Sequence, residues 1–439
     1  MYIVINPIKA ALSNAPGDFH VLVRLQSIPD GSVQRTPLNL VLVIDRSGSM
    51  SGAKLAEAKR CAIDLVQHMA PSDKVGVVQY DDEVDVLIAL DTVEACMPRL
   101  RAAVEAIFTN GSTNLHGGWL KAGEMLAAHA GSDAVCHVML LSDGIANHGV
   151  VAPGSICEQV GSLASAGITT TTVGLGADFN EQLMTAIAQA GQGRAHYGER
   201  AIDLAETFEA ELGLLSNLQW RTVELVLAGA PQGTRMLNDY APAEAVGGAS
   251  WRMPAIAMGA ECWALLQMPL REAFSTQHRT GTLLSVLVHA VDASGEQAVF
   301  RAHLDPLPVA SAEDFAGLPV HELVQRRIHE MRAAQLQLGI REAVLRGDWE
   351  EASRILRDLE SLGRDEPWVA ASIDFVRGLI RERDEQRTSK EMMYKSRKMS
   401  QRLASVSEQD FSVSASRSEA AYMRRKPAEG RRTEPGGTP

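Results

Sequence analysis

From Leu38 to about Leu215 short β-rich apolar runs take turns with amphipathic helical stretches, and few folds accept that alternation. Strands separated by helix-length crossovers pair in parallel, so the pattern predicts βαβ units in a doubly wound, mostly parallel sheet with helices on both faces. The predicted strands are LNLVLVID (38–45), VGVVQY (75–80), DVLIAL (85–90), VCHVMLLS (135–142), ITTTTVGL (168–175) and a short RAHYG (194–198). In the first helical stretch Leu55, Ala58, Ala62, Leu65, Val66 and Met69 recur at helical spacing, which gives one face to pack on a sheet.

After residue 215 the helices stop. Residues 216–310 hold only strand-like runs with turn signals between them, and the opening segments IVINPIKAALSN and FHVLVRLQSI are of the same kind. The α/β unit, 38–215, is therefore expected to be inserted in an antiparallel β-sandwich made by 1–37 and 216–310. Helical periodicity returns over 318–386 and predicts a small helical domain. Its stretch GDWEEASRILRDLE resembles one helix of a tetratricopeptide-type hairpin, but no second copy is present, so a solenoid is not expected. The remainder, 387–439, carries 12 Lys+Arg against 6 Asp+Glu and few large apolar groups. That composition predicts a disordered, basic, Ser-rich tail. Within it RKMS and RLAS each place an arginine three residues before a serine, which makes Ser400 and Ser405 candidate sites for a Ser/Thr kinase.

The chain's net charge of −12 falls on the body rather than on this tail, which argues against nucleic-acid binding. The amino terminus does not read as a leader, and no window reaches the roughly 18 uninterrupted apolar residues of a membrane helix, so the expectation is a cytoplasmic protein without membrane contact. Five cysteines, Cys61, Cys96, Cys136, Cys157 and Cys262, lie far apart with no CxxC pair. Such spacing fits neither a disulfide framework nor a zinc site and predicts small core residues.

The chemistry concentrates at strand ends. VLVIDRSGSM (41–50) runs four apolar residues into Asp45 and then sets Ser47 and Ser49 at alternate positions, so all three project to one side of an extended loop. Ligands of open α/β sheets gather beyond the carboxyl ends of strands. One carboxylate with two hydroxyls is a hard, oxygen-only surface suited to Mg²⁺, with Mn²⁺ or Ca²⁺ as alternatives. A serine that merely caps the next helix would read the same way. TNGSTNL (109–115) adds Thr113 in a loop between helices, and VMLLSDG (138–144) ends another apolar strand in Asp143. Around these loops Arg46 is expected to be solvated, and Asp81 and Asp82 to form a polar turn.

DxSxS, then GST in a loop, then LLSDG, in this order, resembles the von Willebrand factor A domain with its metal-ion-dependent adhesion site. Five positions match: Asp45, Ser47, Ser49, Thr113 and Asp143. TVGLGADFNEQLMTAIAQAGQGRAHY (172–197) also looks like the end of that domain. The flanking segments look most similar to bacterial proteins related to inter-alpha-trypsin inhibitor heavy chains and to so-called calcium-activated chloride channel homologues. The resemblance implies a noncatalytic protein-interaction module. Ser47, Ser49 and Thr113 would be direct ligands, Asp45 and Asp143 would act largely through water, and a partner protein's Asp or Glu would complete the shell. Two other readings compete with it. One is a metal-independent scaffold that self-assembles through the helical domain and tail. The other is a haloacid-dehalogenase-like phosphatase, disfavoured because Ser47 stands where that chemistry wants a second acid.

Overall fold

A computed structural model describes residues 1–27, 35–130, 134–143, 146–175, 180–198, 211–243, 248–271, 273, 281–292, 295–364, 367–401 and 404–405. The chain opens with β1 (Tyr2–Pro7) and β2 (Asp18–Gln26). The α/β unit follows as β3 (Leu38–Asp45), α1 (Ala53–Gln67), β4 (Lys74–Tyr80), β5 (Val84–Thr92), α2 (Val93–Glu105), α3 (Leu115–Ala127), β6 (Val135–Ser142), α4 (Pro153–Ser165), β7 (Ile168–Leu175), α5 (Glu181–Ala190) and β8 (Gln192–Gly198). Then come β9 (Leu218–Gly229), β10 (Ala249–Met253), β11 (Ala260–Pro269), β12 (Leu284–Asp292) and β13 (Gln297–Leu304). Four longer helices close the described chain: α6 (Glu322–Leu345), α7 (Trp349–Leu362), α8 (Pro367–Glu382) and α9 (Glu385–Gln401). Among the described residues no helix is long and apolar enough to cross a membrane.

The α/β unit has strand order β5-β4-β3-β6-β7-β8, parallel except for the antiparallel β4–β5 pair. β3 is buried along its whole length because its successive side chains point to opposite faces of the sheet and meet helices on both. Leu38, Leu40, Leu42 and Ile44 join α1 and α2 residues such as Leu65, Val66 and Leu100. Val41 and Val43 join Leu115, Trp119 and Leu126 of α3 on the other side. From β3 the chain moves to β4 on one side and later to β6 on the other, so the strand order reverses between β3 and β6. The carboxyl ends of those two strands therefore open a crevice.

Around this unit lie two antiparallel sheets. In one, β2 pairs with β1 and with β11; in the other, β9 pairs with β10 and β12, and β12 with β13. β1 and β2 thus lie in one sheet with a strand that follows the α/β unit by sequence. Phe19, Val23, Leu225 and Val288 of the two sheets share a core with Val324 and Ile340 of α6, which packs against β2 and β11. All five cysteines are free thiols, and all but the half-buried Cys157 are buried.

The predicted disorder from residue 387 is corrected through Gln401, where the chain forms α9. Composition misled because this helix seats only a few large apolar residues, Met392, Tyr394 and Met399, and fills the rest of its buried face with small hydroxyl residues. Thr388, Ser389, Ser396 and Ser400 are all buried, and Ser396 Oγ donates to Ala334 O of α6 at 3.0 Å. On its other side Arg397 donates to Gln189 Oε1 of the α/β unit at 2.8 Å and to Asp239 Oδ2 at 3.2 Å. Tyr394 stacks on Tyr197 with ring centroids 5.7 Å apart. Ser400 is 2% exposed and its carbonyl accepts from Asn238 Nδ2 at 2.6 Å, so a kinase reaches it only if α9 leaves its seat. Ala404–Ser405 pairs with β11, and residues 406–439 lie outside the described residues.

Candidate metal centre

The sequence motifs converge at the β3/β6 crevice. Asp45, at the end of β3, is fully buried, and both its oxygens are held: Ser47 N donates to Oδ1 at 2.8 Å, while Ser142 Oγ at 2.8 Å and Tyr80 OH at 3.3 Å donate to Oδ2. Burial pushes the Asp45 carboxyl up to about 6, with the Asp143 charge adding to it and the bonds from Ser47 and Ser142 opposing it. The Ser47 and Ser49 hydroxyls stand 3.1 Å apart, and Ser49 Oγ donates to Asp143 Oδ1 at 2.8 Å. Four of the five motif residues therefore form one connected cluster.

Thr113 arrives from a separate loop. Gly48 N donates to Gly111 O at 3.3 Å and Asn110 N to Arg46 O at 2.8 Å, which fastens that loop to the Asp45 loop. Gly111 makes the approach feasible, since its φ is 57° and a Cβ there would overlap the Asp82 carboxylate. Thr113 is 3% exposed; its backbone N donates to Asn147 Oδ1 at 2.8 Å, and its hydroxyl makes no hydrogen bond among the described residues.

Three features escaped sequence reading. Lys54, in the first turn of α1, sets its ammonium 2.6 Å from Asp143 Oδ2. Ser142 and Tyr80 orient Asp45 from inside the core; Ser142 could have been suspected from its place beside Asp143 in LLSDG. Arg46 corrects an expectation: it is buried, because adjacent strand ends bring it onto Asp81. Its Nε lies 3.0 Å from the fully buried Asp81 Oδ2, with Asp85 at 3.3 Å and the exposed Phe108 ring covering it at 5.9 Å. Asp81 is thus an ion-pair partner rather than a plain turn residue. His116, in the first turn of α3 beyond the Thr113 loop, has its Nε2 3.1 Å from Gln159 Oε1.

The donor set, three hydroxyls and two carboxylates, is all oxygen and fits a hard divalent cation. Among the described residues no group of three or more His, Cys, Asp and Glu side chains converges, so a cation in this crevice would rest on the hydroxyls. With Asp143 already facing Lys54⁺, the two carboxylates and the ammonium sum to one negative charge. A divalent ion would leave the centre positive and receptive to an anion. The Lys54→Met variant should accordingly bind Mg²⁺ about tenfold more tightly, because a competing cation about a hydrogen bond from Asp143 is gone. Calorimetric titration of both proteins checks this; equal affinities would show the ammonium has no bearing on the centre.

The chain thus carries a mostly parallel, doubly wound sheet with a hydroxyl–carboxylate cluster at its reversal point. Residues 39–210 match the family model of the von Willebrand factor type A domain, and the chain carries such a domain. Over 204 residues it is 33% identical to an uncharacterized protein of Synechocystis sp., covering 46% of this chain and 47% of that one. It is 26% identical to inter-alpha-trypsin inhibitor heavy chain H1 of Sus scrofa over 43% of this chain and 22% of that one. The chain thus spans about half or less of the length of these curated relatives. Among solved structures, a von Willebrand factor type A protein of Catenulispora acidiphila superposes with TM-score 0.65 at 18% identity, covering 84% of this chain and 88% of that one. The ArnB paralog VWA2 of Sulfolobus acidocaldarius does so with TM-score 0.60 at 18% identity, covering 91% and 98%. At such identity these two show the fold alone, and they show it well beyond the α/β unit. Domains of this family typically mediate protein–protein interactions.

Proposed function

We propose that this protein is a noncatalytic interaction module that captures an Asp or Glu of a partner protein at a Mg²⁺ centre formed by Asp45, Ser47, Ser49, Thr113 and Asp143. The single observation that carries this reading is the contact chain Ser47 Oγ, Ser49 Oγ, Asp143 Oδ1 at 3.1 and 2.8 Å, beside a Thr113 hydroxyl with no other partner among the described residues. Ser47, Ser49 and Thr113 would hold the ion directly. Asp45 is a positioning group: both its oxygens already accept protein hydrogen bonds, so it fixes the loop and contributes charge through water. When bound, the ion supplies a positive centre of few direct carboxylates, which favours an incoming carboxylate.

We further propose the division into an α/β domain, 38–215, seated in the antiparallel sheets of 1–37 and 216–310, with the helices after residue 318 as a second packing surface. A cytoplasmic location, and Mg²⁺ with Mn²⁺ or Ca²⁺ as alternatives, belong to the same reading. Its test is binding of a Glu-containing peptide or partner by wild type and by Asp45→Ala, in Mg²⁺ and in chelator. Capture should be lost in the variant and in chelator; equal capture in all four conditions would favour the metal-independent scaffold instead.

A further inference from the structure

At the opposite end of the parallel sheet from the metal centre, a cavity of about 180 Å³ lies where the α/β unit, the second antiparallel sheet and α9 meet. Its lining includes His137 of β6, Arg194 of β8, Arg221 of β9, Arg252 of β10 and Arg397 of α9, against one acid, Glu211. The acid is already satisfied. Thr171 Oγ1 donates to it at 2.8 Å, His196 Nε2 lies 3.1 Å away, and with the Arg194 charge nearby these hold its carboxyl well below the usual range despite burial. Arg397 is likewise committed to Asp239 and Gln189.

Arg221 is different. It is 6% exposed, yet its guanidinium has no hydrogen bond or ion pair among the described residues. A buried guanidinium without an acceptor is costly and calls for an anion. Arg252 likewise lacks an ion pair, even to Glu224, which stands opposite it in the β9–β10 register. His137 is 1% exposed; its Nδ1 lies 2.7 Å from Thr169 Oγ1 and its Nε2 is buried with no partner. Burial pushes the His137 imidazole down to about 4, so it is neutral at pH 7; with Nδ1 accepting from Thr169, Nε2–H is left as a donor toward the cavity.

The backbone around this cavity is also distorted. Thr222, next to Arg221, has φ 51°, an outlier for a β-branched residue, at a register shift between β9 and β12. Gln192 of the cavity wall has φ 55°, at a register shift between β7 and β8. Two of the three non-glycine residues of positive φ among the described residues thus flank one cavity, and such strain gathers where a side chain is re-aimed for binding.

We infer that this cavity is a binding site for a small oxyanion, a phosphate or carboxylate group, held by Arg221 and Arg252 from the antiparallel sheet and His137 from the parallel one. An occupant would tie the two units together. The site is separate from the metal centre and does not depend on it.

The test is calorimetric titration of the full chain in EDTA and chloride buffer with inorganic phosphate and, separately, with succinate. Saturable one-site binding of at least one probe is expected, weakened tenfold or more in Arg221→Gln and unchanged in Asp45→Ala. Binding of phosphate alone assigns a phosphate-bearing ligand, and binding of succinate alone a carboxylate. If Arg221→Gln does not fold, Arg252→Gln on the cavity wall should weaken binding threefold or more. No saturable binding of either probe, or full affinity in the folded arginine variant, overturns the inference.

Discussion

Replacing Asp45 with asparagine is expected to make the metal-free protein more stable at neutral pH while removing its affinity for divalent ions. Burial raises the folded-state value of this carboxyl from 3.8 to about 6, so the fold favours its protonated form. The contribution is therefore fully present below about pH 4 and is lost as pH rises through about 6. At pH 7 to 8 the ionised carboxylate costs the metal-free fold on the order of 2–3 kcal/mol, at 1.36 kcal/mol per pKa unit. Asparagine keeps the shape without that charge. Urea unfolding in EDTA at pH 5 and pH 8 should show a stability gain for Asp45→Asn that is larger at pH 8. A variant less stable by the same amount at both values would mean that the hydrogen bonds from Ser47, Ser142 and Tyr80 outweigh the buried charge. A site that destabilises its own scaffold until a cation arrives is the arrangement expected of a binding centre.

Glu261→Ala should have the larger effect on the fold, a loss of about 3–5 kcal/mol. Glu261 Oε2 accepts from Arg24 Nη2 at 2.5 Å and from Gln26 Nε2 at 3.0 Å, and Oε1 lies 3.9 Å from Arg327 Nη2. The three charged groups are all 0% exposed. Arg327 of α6 also stacks over Trp263 at 4.6 Å and pairs with Glu330 at 2.9 Å. Removing the central carboxylate strands the Arg24 guanidinium and takes one of its acidic neighbours from Arg327, in a dry interface between the first antiparallel sheet and the helices. Denaturant unfolding measures the loss. Glu261→Gln should recover only part of it, since the amide keeps one acceptor but not the charge; full recovery would show that shape rather than ion pairing holds the interface.

Much of this architecture could be read from residues alone, for identifiable reasons. Strands such as 38–45 and 135–142 are buried on both faces and write continuous apolar runs, so their ends, where Asp45 and Asp143 stand, are sharp in the sequence. Residues 251–258, WRMPAIAM, read as one strand-like run, yet Pro254 interrupts them and the structure has two strands there, Ala249–Met253 and Ile256–Ala257. α9 was missed because its packing uses Thr388, Ser396 and Ser400 for close approach and long cations for reach, which by composition looks like solvated chain. Lys54 and Arg46 were beyond the motif for a different reason: whether a cation near a carboxylate pairs with it depends on which strand ends become neighbours. The β3/β4 and β3/β6 adjacencies decide this, and only the sheet order reveals them.

The most direct test of the metal centre is calorimetric titration of Mg²⁺ into the chelator-stripped 439-residue chain, for wild type beside Asp45→Ala and Ser47→Ala/Ser49→Ala. One saturable site in wild type, weakened a hundredfold or more in both variants, is the expected result. Equal heats in all three proteins, or none in wild type, would contradict the proposed function.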